Sequence, residues 1–115
     1  MINLLVDEAY AFDYLSILQI KLANNPSVSK KNTYIECKQH LQSQLHNFEK
    51  IASSKEYYDL LISNQSTFDL IDQLRSGKKV TAKEIDDANM DRYYKKQALQ
   101  NAFFNSSMKE EKIIL

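Results

Sequence analysis

Residues 74–84 read Leu74-Arg75-Ser76-Gly77-Lys78-Lys79-Val80-Thr81-Ala82-Lys83-Glu84. The stretch holds the chain's one glycine, followed shortly by a threonine with a glutamate three positions beyond it. Glycine just past a helix accepts the left-handed backbone that closes the last turn. Thr-x-x-Glu is the spacing of a capping box, in which side chain and backbone satisfy each other at a helix start. The stretch therefore reads as one helix ending, a short connector, and another helix beginning.

The one proline, in Asn24-Asn25-Pro26, gives a second boundary, because a residue before proline is pushed out of the α region. Glycine and proline are the main punctuators of helical structure. A chain with one of each, and rich in Leu, Ile, Lys, Gln, Glu and Ala, predicts long helices with few turns. The expected fold class is all-α: a compact bundle of four to five helices in a single domain over residues 1–115.

Four helical regions follow. The first spans about 7–23, with Asp7 and Glu8 suited to the positive end of the helix dipole. Its apolar residues reach nearly every side, which predicts a central, buried helix or one shared between core and interface. The second spans about 29–52 and carries the stripe Tyr34, Cys37, Leu41, Leu45, Phe48 and Ala52, at steps of three and four. The third spans 56–76, with Ser53 and Glu56 at capping-box spacing and Leu61, Phe68, Ile71 and Leu74 expected toward the core. Its polar middle, Ser63 to Thr67, leaves two readings: one bent helix or two short ones. The fourth spans 81–104, its early carboxylates and later cations ordered with the dipole. From Asn105 on, a tail either frays or makes a short contact through Ile113-Ile114-Leu115.

Composition excludes several classes. Fifteen acidic residues balance fifteen basic ones, whereas an obligate nucleic-acid binder needs a phosphate-neutralising excess of bases. Zero net charge also lowers mutual repulsion and favours association. Cys37 is the single cysteine, so no internal disulfide can form and a reducing cytoplasm is the expected setting. The N-terminal residues lack a basic segment and turn acidic at once, unlike a signal peptide. No apolar run approaches the roughly 18 residues of a membrane span. The abundance of Lys, Asn, Ile and Tyr matches A/T-rich codons and points to an AT-rich bacterial or phage genome.

The chemistry-bearing residues form few constellations. Asp13 falls among Val6, Ala9, Ile17 and Ile20 on the helical wheel. A carboxylate there must be paired or hydrogen-bonded. It is either a buried functional carboxylate or a structural acceptor for a neighbouring helix. Cys37, His40 and Glu36 are legitimate zinc ligands, but they lack a further Cys or paired His motif. Glu36-x-x-x-His40 and His46-x-x-Glu49 do not reproduce the di-iron bundle pattern. With one glycine, neither a P-loop nor a dinucleotide fingerprint is available. No cofactor, metal or catalytic set is expected.

The last helix carries two apolar arcs. Ile85, Ala88, Leu99, Ala102 and Phe103 form one; Met90, Tyr94 and Ala98 form another, nearly opposite. A surface helix needs only one. The second is covered either by another helix of the chain or by a partner subunit. The favoured reading is a small cytoplasmic interaction or assembly protein, not an enzyme. It would act on itself, as a homo-oligomer and plausibly a dimer, or on another protein, through Met90, Tyr94 and Ala98. The alternatives are a nucleic-acid adaptor using Lys78, Lys79, Arg92, Lys95 and Lys96, and an enzyme built on Asp13.

Overall fold

The computed structural model describes residue 2 and residues 5–104, and the expected tail lies outside them. Five helices follow in order: α1 (Glu8–Asn24), α2 (Val28–Gln44), α3 (Phe48–Ala52), α4 (Lys55–Arg75) and α5 (Ala82–Phe103). There is no strand among the described residues. The all-α bundle is the fold observed. Helix α1 packs against α2, α4 and α5, and is the central element its all-round apolar surface implies. The most extensive packing is between α4 and α5, which run side by side.

The boundaries follow local chemistry. Asn25 closes α1, donating its backbone N–H to the Lys21 carbonyl. Ser27 then opens α2, its hydroxyl accepting from the Lys30 N–H. Gly77 has φ +89°, the left-handed conformation that disfavours any other residue. Its N–H reaches the Leu74 carbonyl, and that of Lys78 reaches Gln73, the paired bonds of a Schellman closure. Thr81 and Glu84 form both halves of the capping box, at 3.1 and 3.2 Å.

Two expected elements differ. The helix expected over 29–52 breaks at Leu45, whose backbone is extended, and restarts as α3. In a straight helix Ile51 would lie about 80° off the stripe through Leu41 and Phe48. The break lets Phe48 and Ile51 both enter the core, where Ile51 is fully buried. Gln42 clasps Glu49 across it at 3.0 Å.

The second difference concerns α4, which is one continuous helix. Its cap is Ser54, which accepts from the Tyr57 N–H; Ser53 instead ends α3. Its core face is Tyr57, Leu60, Ser63, Asn64 and Thr67, not Leu61, Phe68, Ile71 and Leu74. Ile71 and Leu74 are 40 % and 48 % exposed. Polarity does not break the helix at Ser63 to Thr67, because α1 and α5 offer hydrogen-bond partners there.

The apolar core gathers Phe12 and Leu15 of α1, Leu41 of α2, Phe48 and Ile51 of α3, Tyr57 and Leu60 of α4, and Leu99 of α5. Phe12 stacks on Phe48, with ring centres 5.8 Å apart, and meets Tyr57 edge-on at 6.0 Å. The Tyr57 hydroxyl reaches Gln19 Oε1 at 3.2 Å, so this large buried ring keeps a partner for its polar end.

Candidate functional site

Beside the apolar core, a polar seam runs where α1, α4 and α5 meet. Its centre is Asp13, buried as its place on the α1 wheel implies. Asn64 of α4 donates through Nδ2 to Asp13 Oδ1 at 2.8 Å and to Ser16 Oγ at 2.6 Å. Ser16 donates its own proton to the Asp13 carbonyl at 2.7 Å. Arg92 of α5 approaches the other carboxylate oxygen at 3.4 Å. Both oxygens of one carboxylate are thereby tied to two different helices.

That geometry decides what Asp13 can do. The Ser16 proton is engaged by a backbone carbonyl, so the carboxylate is not placed as a base for that hydroxyl. A buried carboxylate with two partners fixes helix register, since removing either partner leaves charge uncompensated in a poorly solvated place.

Two further contacts extend the seam. Ser63 of α4 donates to Asp91 of α5 at 2.6 Å. At the other end, Gln100 of α5 is fully buried and accepts from the Ala9 N–H at 2.9 Å, while its amide donates to Glu8 at 3.0 Å. The first N–H groups of a helix have no partner within it. Asp7 supplies no side-chain cap here, and Gln100 from the last helix meets that need across the bundle.

The five cations considered for nucleic acid do not gather on one face. Arg92 is turned toward Asp13, Lys96 lies 4.6 Å from the centre of the Tyr10 ring, and Lys95 sits 3.8 Å from Asp91. Lys78 and Lys79 are exposed in the connector. Cys37 is half-buried, and its desolvation pushes the thiol pKa up, away from the reactive thiolate. His40 and Glu36 lie near it beside a shallow cleft, and no three of His, Cys, Asp and Glu converge on a metal site among the described residues.

On α5 the two arcs part. Leu99 is fully buried, with Phe103 packed on the core beside it, although Ala102 is exposed. On the opposite side Met90 is 37 % exposed, Tyr94 is 60 % exposed, and Ala98 is exposed. The described helices cover Met90 in part and leave Tyr94 and Ala98 exposed.

Sequence reasoning missed Asn64, Ser16 and Gln100. The signal for Asn64 was available: Tyr57, Leu60, Asn64 and Thr67 follow at steps of three, four and three, one continuous helical face. Gln100 had none, because its partner is a backbone N–H at the far end of the chain. No known protein family, curated protein or solved structure matches this chain.

Proposed function

We propose that this chain is a small assembly protein of the cytoplasm that pairs with a second copy of itself through the outer face of α5. The observation that carries the reading is Tyr94, a large aromatic 60 % exposed in the middle of that face. Met90 precedes it by four residues and Ala98 follows by four. If two α5 helices lie antiparallel about a two-fold axis at Tyr94, the two tyrosines meet, and each Met90 faces Ala98 of the other copy. Large opposite small is the arrangement that lets facing helices interdigitate. The same axis sets Asp91 against Gln97 and Asp87 against Asn101, so no like charges oppose. A self-complementary patch of this kind is what a two-fold dimer requires, and zero net charge supports it. One helix pair buries a small area, so the dimer is weak and concentration-dependent. A lone, half-buried thiol suits a reducing compartment.

The test is crosslinking at the axis. In a Cys37→Ala background, Tyr94→Cys gives a disulfide-linked dimer on mild oxidation. Tyr58→Cys, equally exposed but on α4, does not. Equal crosslinking at both positions refutes the surface.

A further inference from the structure

A cleft of about 360 Å³ opens where α1, α2, α3 and α4 converge, and no residue of α5 lines it. Leu15, Phe48 and Tyr57 of the core lie deepest in it. Tyr34, Ala52 and Leu61, each half-buried, add apolar surface, and Tyr58 is exposed at the edge. A cleft of this size that joins apolar and aromatic side chains to a few polar groups has the anatomy of a small-molecule site.

Several polar groups in the cleft are committed to the fold. The Tyr57 hydroxyl donates to Gln19 Oε1. Ser54 caps α4 and donates to the Ile51 carbonyl, and Ser53 donates to the Glu49 carbonyl. The two charged side chains are not so committed. Lys38 lines the cleft half-buried, yet its ammonium makes no ion pair among the described residues and is open to solvent. Glu49 lines the cleft exposed, and its carboxylate accepts only from Gln42, at 3.0 Å. Tyr34, Lys38 and Gln42 follow at steps of four along one face of α2. Lys38 is therefore one turn, roughly 6 Å, from the residue that holds Glu49. One cation and one anion, not paired with each other, border the same half-apolar cleft.

We propose that this cleft binds a free α-amino acid with an aromatic side chain. Its carboxylate meets Lys38 and its ammonium meets Glu49. A lone carboxylate would meet Lys38 but face the charge of Glu49, and a lone amine the reverse, so the zwitterion is the species complementary to both. Within a peptide the two charges belong to different residues, which argues for the free amino acid. The side chain lies against Tyr34, Ala52 and Leu61. An apolar cavity of about 150 Å³ takes up benzene, so this cleft has room for a ring and a charged head group.

The experiment is an NMR titration of the labelled protein at low salt, where surface charges are least screened. The probes are L-phenylalanine, 3-phenylpropanoate, which lacks the ammonium, and 2-phenylethylamine, which lacks the carboxylate. L-Phenylalanine is expected to give saturable shifts at the backbone amides of Lys38, Glu49 and Leu61, with none at Tyr94. Each analogue is expected to bind roughly threefold more weakly, the value of one ion pair near the surface. Lys38→Met is expected to erase the advantage of L-phenylalanine over 2-phenylethylamine, and Glu49→Gln its advantage over 3-phenylpropanoate. The proposal is overturned if L-phenylalanine gives no saturable shift, or if the shifts map elsewhere. It is equally overturned if either analogue binds as well as the amino acid, or if both preferences survive the two substitutions. The comparison of probes on the parent protein stands whether or not the variants fold.

Discussion

Asn64→Leu replaces the amide at the centre of the seam with an apolar group of similar size. The substitution removes the 2.8 Å bond to Asp13 and the 2.6 Å bond to Ser16, both made to buried groups. A hydrogen bond to a charged group contributes roughly 1.5–3 kcal/mol, and one to a neutral hydroxyl about 1 kcal/mol. Burying the leucine methyls, and relieving the bare Oδ1, returns about 1 kcal/mol. The net loss is about 1.5–3 kcal/mol, a fall in melting temperature of roughly 10 °C for a chain of this size. Urea unfolding followed by circular dichroism reads it as a lower midpoint with an unchanged slope. Asp13→Leu supplies the other arm of a double-mutant cycle. If the two side chains stabilise each other, the double variant is less damaged than the sum by about 1 kcal/mol or more. An Asn64→Leu protein within about 0.5 kcal/mol of the parent, or strict additivity in the cycle, would refute the seam as the device that locks α1 to α4.

Three other predictions follow from single residues. Gly77→Ala is expected to cost about 1 kcal/mol in urea unfolding. The new Cβ meets nothing within 4 Å at that site, so the loss measures the φ of +89° alone; an unchanged midpoint would contradict it. Burial raises the pKa of Tyr57 well above that of a free tyrosine, so the folded state holds the neutral ring where the unfolded chain, at about 10, ionises it. This contribution is complete below pH ~10 and is lost as pH rises toward the folded value. Tyr57→Phe is therefore expected to flatten the alkaline loss of stability, at a cost of about 1 kcal/mol at neutral pH for the bond to Gln19; an equally steep alkaline fall would contradict this. Gln100→Ala exposes the Ala9 N–H to an unmet need and is expected to fray the start of α1, seen as faster amide exchange at Ala9 and Tyr10 with little change in the middle of α4.

The helical fold was legible because its punctuation is sparse and chemically explicit. Gly77, Pro26 and the Thr81/Glu84 box mark boundaries through backbone geometry, which acts locally. The break at Leu45 was not legible, because it is imposed by where Ile51 must go, a matter of the assembled core. The polar middle of α4 left one helix or two open for a related reason. Ser63, Asn64 and Thr67 look like a loop until Asp13, Ser16 and Asp91 stand opposite them. Asp13 itself was readable as buried and in need of partners. Which partners it finds depends on α4 and α5, fifty and eighty residues away in rough terms. The second arc on α5 was legible in the sequence, but whether another helix of the chain covers it was not, and Tyr94 is exposed.

The pairing surface on α5 is tested most directly by solution mass. Light scattering on a sizing column, across a concentration series at low and moderate salt, is expected to show the parent chain moving from monomer toward dimer as concentration rises. Tyr94→Asp, which sets two carboxylates against each other on the proposed axis, is expected to stay monomeric with an unchanged helical spectrum. A parent chain that remains monomeric at every concentration, or a Tyr94→Asp variant that dimerises as readily as the parent, would contradict the account.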